Sequence, residues 1–266
     1  MAPFMLLALT GVVACGSSKK SDDTQATEKK VVIKAPAFDG DSAFTYVKAQ
    51  TDFGPRVPNT QAHRDCGEYL AQQLAKFGAK VYNQYADLEA WDGTILKARN
   101  IIGAYNPDSK KRIMLCAHWD SRPYADYDAD EKNHKKPIDG ANDGASGVGV
   151  LLEIARQIQK EAPTVGIDII FFDAEDYGTP AWHRGIYKPH DWCLGSQYWG
   201  RTPHVQGYYA RYGILLDMVG GKGGTFYYEP YSYRTARKEV KKIWEKAHEL
   251  GYGSYFVKQE GSEVTD

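Results

Sequence analysis

Apolar positions along this chain follow two periods, and the alternation between them predicts the fold. After a start at Asn59 or Thr60, Leu70, Leu74 and Phe77 recur at helical spacing, and Gly78 supplies a C-terminal glycine. An earlier helix carrying Phe44 and Val47 starts at Asp41 or Ser42 and is broken by Gly54-Pro55-Arg56-Val57-Pro58. Residues 81–88, 95–102 and 112–117 read as strands, the first two joined through Trp91-Asp92-Gly93. Residues 147–160 return to the helical period through Val148, Leu151, Leu152, Ala155 and Ile158. In residues 166–172, Ile167 and the run Ile169 to Phe172 surround a lone Asp168, the near-continuous apolar pattern of a strand covered on both faces. A further strand is predicted over 212–218. A last helix over 234–250 places Val240, Ile243, Trp244 and Ala247 on one face and stops at Gly251. Strands alternating with helices predict a three-layer α/β/α sandwich around a mostly parallel central sheet. No internal repeat is present.

Acids gather where these strands end. The strand over 166–172 runs into Asp173-Ala174-Glu175-Asp176, and the strand over 112–117 into His118-Trp119-Asp120-Ser121. Asp143 lies in the turn Gly140-Ala141-Asn142-Asp143-Gly144 that leads into the helix over 147–160, and Asp217 closes Ile214-Leu215-Leu216. Each taken singly reads as an ordinary capping or hydrogen-bonded group. Together they fall beyond the carboxyl ends of successive strands, where open α/β sheets carry their chemistry. Imidazole and carboxylate donors suit a borderline cation such as Zn²⁺.

The ordered set Gly54-Pro55-Arg56-Val57-Pro58, His118-x-Asp120-Ser121, Gly140 to Gly147, Phe171-Phe172-Asp173-Ala174-Glu175-Asp176 and Leu215-Leu216-Asp217 resembles the M28-type zinc exopeptidases. Within that group it most resembles the glutaminyl cyclases, across residues 38–266. The resemblance implies one zinc held by Asp143, Asp176 and a histidine, with Glu175 as proton shuttle and Asp217 sharing a hydrogen bond or a proton with it. Trp182 corresponds to an aromatic that lines the substrate pocket of that family. The implied reaction closes the N-terminal Gln of a peptide or protein to pyroglutamate with release of ammonia. The rival implication is a two-zinc aminopeptidase, in which His118 and Asp217 bind the second ion. A third reading is a lipid-anchored binding protein without catalysis. It arises because Val264-Thr265-Asp266 resembles the beginning of the family's Asp-Asp-His segment, whose histidine is not in this sequence; neither His204 nor His248 matches it.

Composition changes the picture in two places. With 33 Lys and Arg against 34 Asp and Glu, and no basic stripe, nothing points to nucleic acid. The strand-end acids are therefore a local feature rather than part of an acidic surface. Phe4 to Ala14 has the length of a signal-peptide apolar core, too short to span a bilayer, and small residues precede Cys15. Residues 1–15 are expected to be a bacterial lipoprotein signal ending in an acylated Cys15, 16–37 a polar tether, and 38–266 the catalytic domain. That arrangement implies a lipid anchor in the bacterial cell envelope. Of the remaining cysteines, Cys116 reads as a buried apolar residue, and Cys66 and Cys193 are candidates for pairing in an oxidising compartment. Asp126-x-Asp128-x-Asp130 lacks the glycine and glutamate of a calcium loop and reads as solvated charge. Gly220 to Thr225 lacks phosphate-loop spacing and reads as a turn.

Overall fold

The computed structural model describes residues 35–262. The signal, the acylated Cys15 and most of the tether lie outside the described residues, as does Val264-Thr265-Asp266.

Helix α1 spans Gly40–Thr51 and is capped by Asp39, whose carboxylate accepts the Ser42 N–H. The cap therefore falls ahead of the expected Asp41 or Ser42, because Asp39 is the residue that stays extended. Thr60 caps α2 (Gln61–Lys76) by accepting the His63 N–H, and Gly78 follows its end at φ +85°. Strands β1 (Lys80–Glu89) and β2 (Ile95–Tyr105) form the expected antiparallel hairpin. Then come β3 (Arg112–His118), α3 (Ala145–Lys160), β4 (Gly166–Phe172), α4 (Leu194–Arg201) and β5 (Gly213–Leu215).

The central sheet has the order β1-β2-β4-β3-β5. Strands β3, β4 and β5 pair in parallel, and β2 is antiparallel to both β4 and β1, so four strands share one direction and only β2 is reversed. Alternation of side chains splits the core into two faces. Ile101, Leu115, Ala117, Ile169 and Phe171 meet Leu70 and Leu74 of α2 and Val148, Leu151 and Leu152 of α3. Ile102, Cys116, Ile170 and Phe172 point the other way, towards Trp199 of α4. Helices on both faces of a mostly parallel sheet make the α/β/α sandwich that the periodicity predicts. Among the described residues no helix is long and apolar enough to cross a membrane.

The C-terminal part adds elements to those expected. The helix predicted over 234–250 is α6 (Arg237–Glu249), and a short helix not foreseen, α5 (Pro230–Thr235), precedes it with a break at Ala236. Each has its own partner. Tyr233 of α5 stacks on Tyr228 at 4.6 Å, whereas Trp244 of α6 donates to the carbonyls of Phe226 and Val257 in a small parallel sheet of β6 (Phe226–Tyr228) and β7 (Phe256–Glu260). The predicted strand over 212–218 is shorter than its apolar run, because the chain turns through a left-handed Met218 (φ +46°).

Candidate metal centre

Parallel pairing brings the site together. Phe172 at the end of β4 lies opposite His118 at the end of β3, and Leu215 at the end of β5 lies opposite Cys116. Whatever follows these strands leaves the sheet at one edge. Helix α3 begins at the same place, since its Gly147 packs so closely on β5 that an added Cβ would lie 2.1 Å from the Leu216 carbonyl oxygen.

His118 is the centre of the cluster and is only 2% exposed. Its Nε2 stands 2.9 Å from Asp143 Oδ1 and 3.5 Å from Asp217 Oδ1, and its Nδ1 is 3.4 Å from Asp120 Oδ1 and 3.8 Å from Glu175 Oε2. Ligand atoms of His118, Asp143, Glu175 and Asp176 all fall within 4.8 Å of one another. Donors at about 2.0–2.2 Å from one ion lie at most about 4.4 Å apart, so a small closure would bring the set around a zinc. Asp176 is 4% exposed and its Oδ2 has no hydrogen-bond partner. A buried carboxylate oxygen left open among other acids is the signature of a place for a cation. Burial, then the charge of Asp143, pushes the Asp176 carboxyl up to about 7. Burial also works against charge on His118, but hydrogen bonds to Asp120, Asp143 and Asp217 outweigh it and hold the imidazole well above its usual range. The Asp143 side chain is 34% exposed, which opens the cluster to solvent on that side.

Main-chain contacts hold the two consecutive acids. Asp120, fully buried, accepts the N–H groups of both Glu175 and Asp176 at 3.1 Å. Burial raises the Asp120 carboxyl, but His118 and these two N–H groups prevail and keep it below the ordinary value. Upstream, Ala174 turns the chain at φ +54°. Asp173 braces that turn, accepting the Arg99 and Ala174 N–H groups and meeting His63 Nε2 at 2.9 Å. The His63 ring stacks on buried Trp119 at 4.4 Å. Gly144 sits at φ +89°, and a Cβ there would lie 2.5 Å from the Asp120 carbonyl oxygen and 3.2 Å from His118 Cε1. Arg56, also fully buried, donates to the carbonyls of Trp119, Asp139 and Gly140 and so joins the turn before α3 to the end of β3.

The structure thus gathers His118, Asp143, Glu175, Asp176 and Asp217. Trp182 is half-buried in an aromatic group, 5.0 Å from the Tyr124 ring and stacked on His134 at 6.1 Å, and Tyr124 in turn meets Tyr177, the neighbour of Asp176. Two expectations are corrected. Among the described residues no disulfide joins Cys66 to Cys193: Cys66 is buried under α2, and the Cys193 thiol lies 3.6 Å from Glu175 Oε1. The acidic loop is solvated at Asp128 and Asp130 only, since Asp126 is buried against Arg122. Sequence reasoning assigned no role to Asp120, Arg56, Arg122, Asp173 or His63. His118-x-Asp120 and Gly54-Pro55-Arg56 stood out as motifs, yet the work of these residues is done on main-chain groups far away in the chain.

A sandwich whose parallel strands converge on an imidazole and several carboxylates has the architecture of the zinc exopeptidases. The chain belongs to peptidase family M28, whose family model matches residues 100–266. The glutaminyl cyclase of Bacteroides thetaiotaomicron, solved with N-acetylhistamine bound, is 64% identical, with a TM-score of 0.86 over 88% of this chain and 80% of that one. A Zn-dependent exopeptidase from Parabacteroides distasonis is 59% identical, also at a TM-score of 0.86 over 88% of this chain and 80% of that one. The glutaminyl-peptide cyclotransferase of Bos taurus is 30% identical over 150 residues, or 48% of this chain, and the match spans only 38% of the bovine protein.

Proposed function

We propose that this protein is a zinc-dependent glutaminyl-peptide cyclotransferase, which converts the N-terminal Gln of peptides and proteins to pyroglutamate and ammonia. What carries the reading is the strand-end cluster in a chain 64% identical to a solved bacterial glutaminyl cyclase. Asp143 and Asp176 are the carboxylates that would hold the ion, together with an imidazole, and the open oxygen of Asp176 suits that role. A bound Zn²⁺ supplies Lewis acidity towards the γ-carboxamide oxygen.

The remaining work falls to the chain. The substrate's α-amine nitrogen forms a bond to the carbonyl carbon of the side-chain carboxamide (Cδ), and the bond from that carbon to the amide nitrogen breaks. Glu175 takes the proton lost by the attacking amine and returns it to the departing nitrogen, which leaves as ammonia. Consecutive residues diverge, so the two acids present different edges: the Asp176 Oδ2 lies buried within the cluster, while Glu175 Oε2 stands 3.8 Å from His118 Nδ1. Asp217, on the Nε2 side of the same imidazole, steadies the charge that develops during transfer. Trp182 lines the substrate side through its aromatic group. The apolar segment of signal-peptide length ahead of Cys15 supports a lipid-anchored location in the bacterial envelope, and Cys15→Ala should move the protein from the membrane to the soluble fraction.

Incubation of zinc-loaded protein with a Gln-initiated peptide tests the reading. The expected products are ammonia and the pyroglutamyl peptide, with about one zinc per chain. Release of a free amino acid with about two zincs would establish the aminopeptidase instead, and absence of both metal and turnover would leave a binding protein.

A further inference from the structure

Arg122 lies four residues beyond His118 and is nearly buried, yet it contributes no atom to the cation cluster. Its guanidinium is engaged along every edge. Nε and Nη2 meet the two carboxylate oxygens of Asp126 at 2.7 and 2.5 Å, and Nη1 donates to the Asp176 carbonyl at 2.9 Å. The Trp192 ring covers its face at 4.5 Å. Asp126 in turn accepts the Ala181 N–H at 2.8 Å, so one ion pair grips the chain at Asp176 and again five residues further on. A buried ion pair is weak evidence of stability by itself, since desolvation offsets most of its attraction. This one is better explained by what it holds.

The Asp176 peptide is fixed on both sides: Asp120 accepts its N–H and Arg122 donates to its carbonyl. The carboxylate between them has an oxygen with no partner and lies among Asp143, Glu175 and Asp120, all of like charge. Without a cation it would swing away from those neighbours unless its backbone prevented it. We propose that Arg122 and Asp126 form a positioning pair that aims Asp176 at a divalent cation, by clamping its carbonyl rather than its carboxylate. The pair rests on the reading of Asp176 as a ligand. Outer groups that orient metal ligands typically contribute 10–100-fold to metal affinity, and here the orienting contact runs through the main chain. Lysine cannot replace the arginine, because one ammonium cannot span both Asp126 oxygens and the Asp176 carbonyl.

The test is zinc binding by the purified protein, measured by competition with a chelating dye and without reference to turnover. Three variants are compared: Arg122→Lys, Asp126→Asn and Leu152→Ala, the last a buried apolar core position that offers no ligand atom to the cluster. Folding of each metal-free variant is followed by circular dichroism and melting in EDTA. Arg122→Lys is expected to weaken zinc by about 10–100-fold and Asp126→Asn by at least several-fold, with the double variant little worse than Arg122→Lys alone. Leu152→Ala should lower the melting temperature and leave zinc affinity within about twofold. Equal zinc affinity in a folded Arg122→Lys variant overturns the proposal. So does a loss in Leu152→Ala as large as that in Arg122→Lys, and so does failure of both Arg122→Lys and Asp126→Asn to fold in the cold. If the parent itself binds no zinc, the ligand reading of Asp176 fails first and the pair's role falls with it.

Discussion

Replacing Asp120 with Asn tests how the site is built. Asp120 is fully buried and accepts two main-chain N–H groups, from Glu175 and Asp176, each at 3.1 Å. It also lies 3.4 Å from His118 Nδ1. An asparagine has one acceptor oxygen and one donor nitrogen in the same space. It can serve one N–H group, while its own NH₂ faces the other and leaves a buried donor unsatisfied, at a cost of about 1–3 kcal/mol. Loss of the charge opposite the raised His118 adds to this, giving about 2–4 kcal/mol in all. For a domain of this size that corresponds to a fall in melting temperature of about 4–16 °C. Because the freed peptide carries both consecutive acids, zinc affinity should fall at least about tenfold as well. Calorimetry in EDTA, followed by zinc titration of the folded variant, reads the two effects separately. A variant melting within about 2 °C of the parent, with unchanged zinc affinity, would refute the claim that Asp120 holds this turn.

Three further outcomes follow from the same geometry. Glu175→Gln should lower turnover by about 10²–10⁴-fold while zinc content and melting temperature stay near those of the parent, because it removes proton transfer and leaves Asp176 in place. Gly144→Ala should both destabilise the fold and weaken zinc, since the new methyl would meet the Asp120 carbonyl at 2.5 Å at a φ of +89°, and thermal melting with dye competition measures both. Zinc uptake should depend on pH through Asp176, whose carboxyl is raised to about 7 without metal. Below that pH the ion must displace a proton, so affinity should fall about tenfold per unit as pH drops and level off above it, which calorimetry in buffers of different ionisation enthalpy would detect as proton release.

Much of this architecture was legible before any coordinates. The near-continuous apolar run of β4, broken only by Asp168, and the helical spacing of α2 and α3 reflect burial, which leaves a periodic trace. The turn at Trp91-Asp92-Gly93 marked the connection between β1 and β2, but that β2 alone runs against the other strands comes from its pairing with β4, which no local signal shows. The short helix α5 was not legible, because six residues are too few to show a helical period and its place is set by Tyr233 stacking on Tyr228. The site divides in the same way. Glu175, Asp176 and Asp217 announce themselves by following strand ends, His118 by closing one, and Asp143 by standing in the turn that opens α3. Asp120 accepts the N–H groups of Glu175 and Asp176, Arg122 donates to the carbonyl of Asp176, and His63 meets the carboxylate of Asp173, between 54 and 110 residues away in the chain. No local spacing encodes contacts of that range. A sequence motif can mark such residues without revealing which peptide they grip.

The central claim is that acids from separate loops at one edge of the sheet share one cation, and anomalous diffraction at the zinc absorption edge from crystals grown with zinc tests it most directly. A single strong peak bounded by Asp143 and Asp176, with Glu175 alongside and outside bonding distance, is the predicted result. A peak elsewhere on the molecule, or full zinc occupancy with Asp176 turned away from the ion, would contradict it.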